Sequence, residues 1–293
     1  MNLELDQDIQ GILEPERAFD RRDFLSTALG ASAALAASGT VSAQVVVTDS
    51  VGLTADDIMI KVSDGTLPGY FAMPATGGPF PIVILAPEVF GLNAHVKDLC
   101  RRLAKAGFYA ITPDVYARKA DLTKITNFAE IMPIVNSKYD TEMMADFDAA
   151  LAYAKTSGKG KVDRIGMTGM CRGGRTTWMY AAHNPQLRAA VAWYGPLGGK
   201  TSEFTPQNPL DLATTIKVPV LALYGAKDKG IPLADVDRMR DELKGSGSKS
   251  EFVVYAEAGH GFNADFRPDN YRKDDAEDGW KRMLAWYKLW GVV

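Results

Sequence analysis

Residues Ile165–Gly174 read Ile-Gly-Met-Thr-Gly-Met-Cys-Arg-Gly-Gly, and this run constrains the chain more than any other. An apolar, strand-like stretch enters it, Gly169-x-Cys171-x-Gly173 occupies a turn, and a helical pattern over Thr176 to Ala182 leaves it. A strand that turns into a helix across one residue brings backbone segments together. Glycines at 169 and 173 remove the Cβ atoms that would collide there. The residue at the apex is strained and its side chain stands clear, which suits a nucleophile. The following helix directs the partial positive charge of its N-terminus at the sulfur. An isolated cysteine would read as a small buried hydrophobe. A cysteine framed this way on both sides reads as a reactive one.

The N-terminus reads differently. Arg21-Arg22-Asp23-Phe24-Leu25 is a twin-arginine pattern, a weakly apolar, Ala-rich run follows from Thr27 to Ala37, and Val41-Ser42-Ala43 sets small residues before Gln44. In that order they predict a twin-arginine export leader over residues 1–43 and one domain over residues 44–293. The apolar run is too short for a stable membrane span, so no stable insertion is expected after cleavage. The expected location is the periplasm, with the twin-arginine machinery as partner. Cleavage after Ala43 removes seven acids and three arginines, which brings the net charge near zero. With no Lys/Arg cluster and no aromatic platform, nothing points to nucleic acid or an anionic membrane as partner. The remaining chain is long enough for a single well-buried core.

The second cysteine, Cys100, shares one helical face with Val96, Leu99 and Leu103 and reads as core. A bridge to Cys171 would need Cα atoms within about 7 Å and would silence the turn.

Apolar, β-branched runs occur at Asp57–Val62, Pro81–Ala86, Tyr109–Thr112, Arg164–Thr168, Ala189–Tyr194, Val218–Tyr224 and Glu251–Tyr255. Helical periodicity covers Asn93–Ala106, Thr141–Ser157, Thr176–Asn184, Leu233–Lys244 and Asp274–Trp290. The early runs are joined by turns, and the later ones alternate with helices. The expected fold class is α/β: an antiparallel start, then a mostly parallel twisted sheet with helices on both faces. In such sheets the chemistry lies at the carboxyl ends of the strands. Cys171, Asp228, His260 and Glu88 each follow a predicted strand, so all four are expected along one edge.

A thiol that attacks a carbonyl needs a base within hydrogen-bond reach, and the base needs a group to fix its tautomer. Cys171, Asp228 and His260 occur in the order nucleophile, acid, histidine, the order of the α/β-hydrolase fold. Of the three histidines, His183 ends a helix and His95 opens one, whereas His260 is flanked by glycines after the last strand. The expected oxyanion donors are the backbone N–H groups of Arg172 and Val89. Glu88, an acid in an apolar loop, either bonds a backbone group or an arginine, or modulates the thiol. Trp193 and Tyr194 end a strand and either line the pocket or pack. Trp280, Met283, Leu284 and Tyr287 form a core stripe.

The segments Pro87-Glu88-Val89-Phe90-Gly91-Leu92-Asn93, Pro113-Asp114-Val115-Tyr116-Ala117-Arg118, Gly169-Met170-Cys171-Arg172-Gly173-Gly174 and Gly259-His260-Gly261-Phe262 together resemble the dienelactone hydrolase (carboxymethylenebutenolidase) family. The likeness runs from about Asp57 to Trp290. It implies a Cys-His-Asp triad, with Glu88 matching the glutamate that holds the resting thiol and takes part in its activation. It further implies hydrolysis of a small ester or lactone through a thioester, with no metal and no cofactor. The chain departs from the family at His260-Gly261-Phe262-Asn263-Ala264, where Ala264 stands in place of an arginine that binds the substrate carboxylate. Arg267, Arg172 or Arg118 can substitute, and with Trp193, Tyr194 and Phe262 they make up the expected substrate-binding set. Acyl transfer to another acceptor would use the same triad, and a non-catalytic exported binding module would keep only the fold.

Replacement of Arg21 and Arg22 by lysine should trap the protein in the cytoplasm as uncleaved precursor. Fractionation and immunoblotting measure this, and normal periplasmic accumulation of the variant would refute the leader.

Overall fold

In the computed structural model, which describes residues 46–293, eight strands form one sheet. The leader expected over residues 1–43 and its cleavage position lie outside the described residues. The strands are β1 (Leu53–Val62), β2 (Gly65–Pro74), β3 (Phe80–Ala86), β4 (Tyr109–Pro113), β5 (Gly160–Met170), β6 (Ala189–Trp193), β7 (Val220–Gly225) and β8 (Glu251–Tyr255), in the order β1-β2-β4-β3-β5-β6-β7-β8. β1 pairs antiparallel with β2 and β2 antiparallel with β4, and every later pairing is parallel. The helices are α1 (Ala94–Lys105), α2 (Phe128–Asn136), α3 (Asp140–Thr156), α4 (Arg172–His183), α5 (Pro209–Leu212), α6 (Leu233–Gly245) and α7 (Lys273–Leu289).

The central strands are near-continuous apolar runs because both of their faces are covered. All of β6 and β7 is buried, as is β3 after Phe80. β1 is the opposite case, with only Ile60 fully buried, as befits an edge strand.

Three elements escape the sequence reading: β2, α2 and the four-residue α5. β2 contains Pro68 and Gly69, which ordinarily punctuate a strand. Here Pro68 lies just outside the β2–β4 ladder, which runs from Gly69 to Ala72. A Cβ on Gly69 would stand 2.7 Å from Ile60 Cδ1 and 2.9 Å from Thr112 O, so the glycine permits β1 and β4 to close around β2. α2 contains Pro133, which loses a backbone donor. Burial of Phe128, Ile131 and Val135, with the Asn127 side chain capping Ala129 N–H at 3.0 Å, sustains it regardless.

The strand order positions the site. From β3 the chain crosses through α1 to β4 on one side, and then returns past β3 to β5 and continues the other way to β8. Right-handed crossovers in opposite directions place α1 on one face and α3, α4 and α6 on the other. The loops leaving β3 and β5 therefore diverge toward opposite faces. They leave a crevice at the carboxyl edge, where α/β sheets bind their ligands.

Candidate active site

Cys171 lies between β5 and α4 with φ 54° and ψ −121°, outside the regions a non-glycine residue ordinarily adopts. Backbone contacts compel that conformation. A Cβ on Gly169 would lie 2.3 Å from Gly173 O, and one on Gly173 would lie 2.2 Å from Ala86 O. The Cys171 N–H donates to Trp193 O at 3.1 Å, which ties the turn to the end of β6. Strand, turn and helix are thus held to both neighbouring strands by main chain alone.

Cys171 Sγ is 3.1 Å from His260 Nε2, and His260 Nδ1 is 2.8 Å from Asp228 Oδ2. All three residues are buried. Asp228 uses its other oxygen to accept the Gly230 N–H at 2.9 Å, so the carboxylate cannot turn away. That contact fixes the tautomer with hydrogen on Nδ1 and leaves Nε2 facing the sulfur. Burial disfavours charge on the imidazole, but the Asp228 carboxylate and the Cys171 sulfur outweigh it and hold the His260 pKa well above the ordinary value. The Tyr194 ring meets the imidazole edge-on at 5.2 Å. The other histidines are elsewhere: His183 pairs with Asp148 at 2.8 Å, and His95 faces Asp265.

Glu88 follows β3 and is buried. Its charge acts on Arg267 and Tyr194, and it forms no hydrogen bond or ion pair among the described residues. The thiol is not held by Glu88, as the family resemblance implied, because His260 takes the sulfur instead. Val89, on the same loop, is buried beside the turn that Gly173 packs against Ala86. The Arg172 amide belongs to the first turn of α4 and has no intrahelical acceptor.

Around the thiol several donors lack partners. Arg172 Nε and Nη2, Arg267 Nε and Asn263 Nδ2 are buried without a hydrogen bond among the described residues, and the Tyr194 hydroxyl, which faces the Asn263 backbone N–H, donates to no acceptor among them. Burial, reinforced by the like charge of Arg175, pulls the Arg172 pKa below the usual arginine value. Arg175 itself is satisfied, with Nη1 and Nη2 donating to Asp140 at 2.7 and 2.8 Å. The Arg267 guanidinium stacks over Phe90 and Phe266, with ring centroids at 5.4 and 4.9 Å. Tyr194 has φ 36°, a second strained residue at the same edge. Unpaired buried donors are costly. Several such donors fall on the residues that border Cys171 and Glu88.

Three residues of the expected substrate-binding set lie elsewhere. Arg118 is committed to Asp64, Glu142 and Asp146. The Trp193 ring is fully buried, donates to Thr168 Oγ1 at 3.1 Å, and packs where a Cβ on Gly279 would meet it at 2.5 Å. Phe262 is wedged among Trp193, Tyr194 and Tyr255 and anchors the histidine loop. The sequence reading missed Asn263 and Tyr116. Tyr116 follows β4 at the same sheet edge and stands close enough to Arg172 and Cys171 for their charges to act on it. The position of each after a strand was the available signal.

Known proteins resemble this chain in sequence and fold. The profile of the dienelactone hydrolase family matches residues 67–290. A protein of Methylorubrum extorquens, provisionally named a carboxymethylenebutenolidase, is 47% identical over 96% of this chain and 97% of its own length. One from Escherichia coli K12 with the same provisional name is 42% identical over 87% and 94%. The crystal structure of a provisionally named dienelactone hydrolase from Klebsiella pneumoniae superposes with a TM-score of 0.78 at 44% identity, covering 80% of this chain and 98% of the other.

Asp228→Asn should lower the His260 pKa by removing the charge that raises it. Alkylation of Cys171 by iodoacetamide should then shift to higher pH and slow at least about tenfold at pH 7. Intact-mass kinetics across pH measure this, and a profile unchanged from wild type would show that Asp228 does not govern the pair.

Proposed function

The chain belongs to the dienelactone hydrolase family and is a hydrolase of ester or lactone bonds, and on that premise we propose that it works through a thioester on Cys171. The observation that carries this reading is the 3.1 Å approach of His260 Nε2 to Cys171 Sγ, with Asp228 on the ring's other nitrogen.

His260 takes the thiol proton as sulfur bonds to the substrate carbonyl carbon. The carbonyl oxygen becomes an oxyanion and is met by the amides of Arg172 and Val89. Collapse breaks the carbon–oxygen bond, and His260 returns its proton to the departing alkoxide, which in a lactone stays tethered to the acyl group. Water, deprotonated by His260, then attacks the thioester and releases the acid and the thiol. Asp228 keeps the imidazole oriented and stabilises its charged form throughout.

The unpartnered donors of Arg172 and Arg267, with Tyr194 and Asn263 beside them, support a substrate that carries a polar or carboxylate group next to its scissile bond. The Glu88 charge acts on Arg267, and an anionic substrate competes with it for that arginine. The leader pattern over residues 1–43 supports export to the periplasm after folding, so the thiol would travel already enclosed.

Cys171→Ala should fold normally and lose at least about a thousandfold in kcat/KM on p-nitrophenyl acetate. Arg172→Gln keeps the backbone amide. It should leave that neutral ester within about threefold and cost about tenfold or more on mono-p-nitrophenyl succinate. Wild-type kcat/KM in Cys171→Ala would remove the mechanism.

A further inference from the structure

His260 follows the edge strand of the sheet. β8 is the last strand of the sheet and pairs only with β7, and residues 259–272 beyond it contain neither helix nor strand. A base that must stay within hydrogen-bond reach of sulfur tolerates little drift, so this loop needs lateral ties. Besides the wedged Phe262, two are local: Asn270 Nδ2 donates to His260 O and the Arg272 N–H to Phe262 O, each at 3.0 Å. A further tie comes from the opposite end of the chain.

Helix α1 turns a row of charges toward residues 46–51. Thr48 N–H donates to the buried Asp98 Oδ1 at 2.6 Å, and Arg101 Nε donates to Thr48 O at 2.8 Å. Arg102 sits at the junction. Its Nε donates to Asp98 Oδ2 at 2.5 Å and its Nη2 to Val46 O at 3.1 Å, while the same Nη2 pairs with Asp265, five residues after His260. Asp265 is 1% exposed, and His95 Nδ1 stands 3.4 Å from its second oxygen. Burial works against the Asp265 charge, yet His95 and Arg102 keep its pKa below the usual carboxylate value. Arg102, in turn, is held charged against burial by Asp265 and Asp98.

We propose that the Arg102–Asp265 ion pair, with Arg102 fixed by the docked segment Val46–Thr48, is the positioning element that keeps the His260 loop in register with Cys171. This rests on the Cys171–His260–Asp228 reading above. Three acceptors around one guanidinium demand the planar fork of arginine, and a lysine ammonium would meet only part of the set. Arg102 is therefore a positioning residue rather than a catalytic one. Residues 46–48, the first described residues after the expected leader, become part of the active enzyme's framework.

The test compares Arg102→Lys, Asp265→Asn and Thr48→Pro with wild type and with Lys105→Met. Lys105→Met loses only the ties from Lys105 to Asp49 and to Val51 O, each 2.7 Å. Each protein is assayed on p-nitrophenyl acetate well below its melting temperature, and Cys171 alkylation is followed against pH. The expected result for Arg102→Lys and Asp265→Asn is a fall in kcat of about tenfold with KM within about twofold, and a displaced alkylation profile. Thr48→Pro, which removes the amide held by Asp98, should move in the same direction by a smaller factor, and Lys105→Met should match wild type. Should Asp265→Asn fail to fold, Arg102→Lys retains the charge and carries the comparison. Wild-type kcat and alkylation in folded Arg102→Lys would overturn the proposal, as would an equal loss in Lys105→Met. An inactive wild type would instead strike the hydrolase reading, and the alkylation profile would still judge the ion pair.

Discussion

Backbone touches backbone at the carboxyl ends of β3, β5 and β6, and the rest of the site depends on that contact. Gly173 approaches Ala86 O, Gly169 approaches Gly173 O, and Gly174 packs against Gly195 at distances that no Cβ could share. The contact forces Cys171 into positive φ and gives the turn no other place to go. Such strain costs on the order of 1–3 kcal/mol and persists because the surroundings over-determine it. Its effect is to fix the Cys171 backbone through main-chain contacts alone. The groups that meet the sulfur can then come from other loops.

Those groups arrive from separate places along the chain. Asp228 follows β7, His260 follows β8, and the loop carrying Glu88 and Val89 follows β3, yet all converge because parallel strands end at one edge. Electrostatics inside that edge are unbalanced in a consistent way. The triad is closed on itself, with each polar contact of Asp228 and His260 accounted for. Arg172 and Arg267 beside it are not satisfied. A rigid, complete set of reacting groups beside an incomplete set of donors is the division expected where the protein holds its own chemistry ready and leaves recognition to the substrate.

The legible parts of the sequence were those encoded within a few residues. The turn at Cys171, the glycine-flanked His260, and the buried strands with their antiparallel start and parallel continuation follow from local pattern, and the structure reproduces them. The misreadings came from partners distant in sequence. Arg118 looked available because Asp64 and Asp146 are 54 and 28 residues away. Trp193 stayed open between pocket wall and packing because the bare Gly279 that receives its ring belongs to another element. β2 was lost to Pro68 and Gly69, whose tolerance depends on the limits of the β4 ladder. Glu88 was singled out by its place after a strand and only its role came from likeness, and that role turns on which partner the sulfur faces, which is a matter of geometry.

Rapid acid quench followed by intact-protein mass spectrometry tests the central claim most directly. During turnover of an activated ester, the account predicts a mass increment equal to the acyl group, located by peptide mapping on Cys171, released by neutral hydroxylamine, and rising and decaying at rates compatible with kcat. Turnover with no adduct under conditions that trap it, or an acyl group on any other residue, would contradict the thioester route.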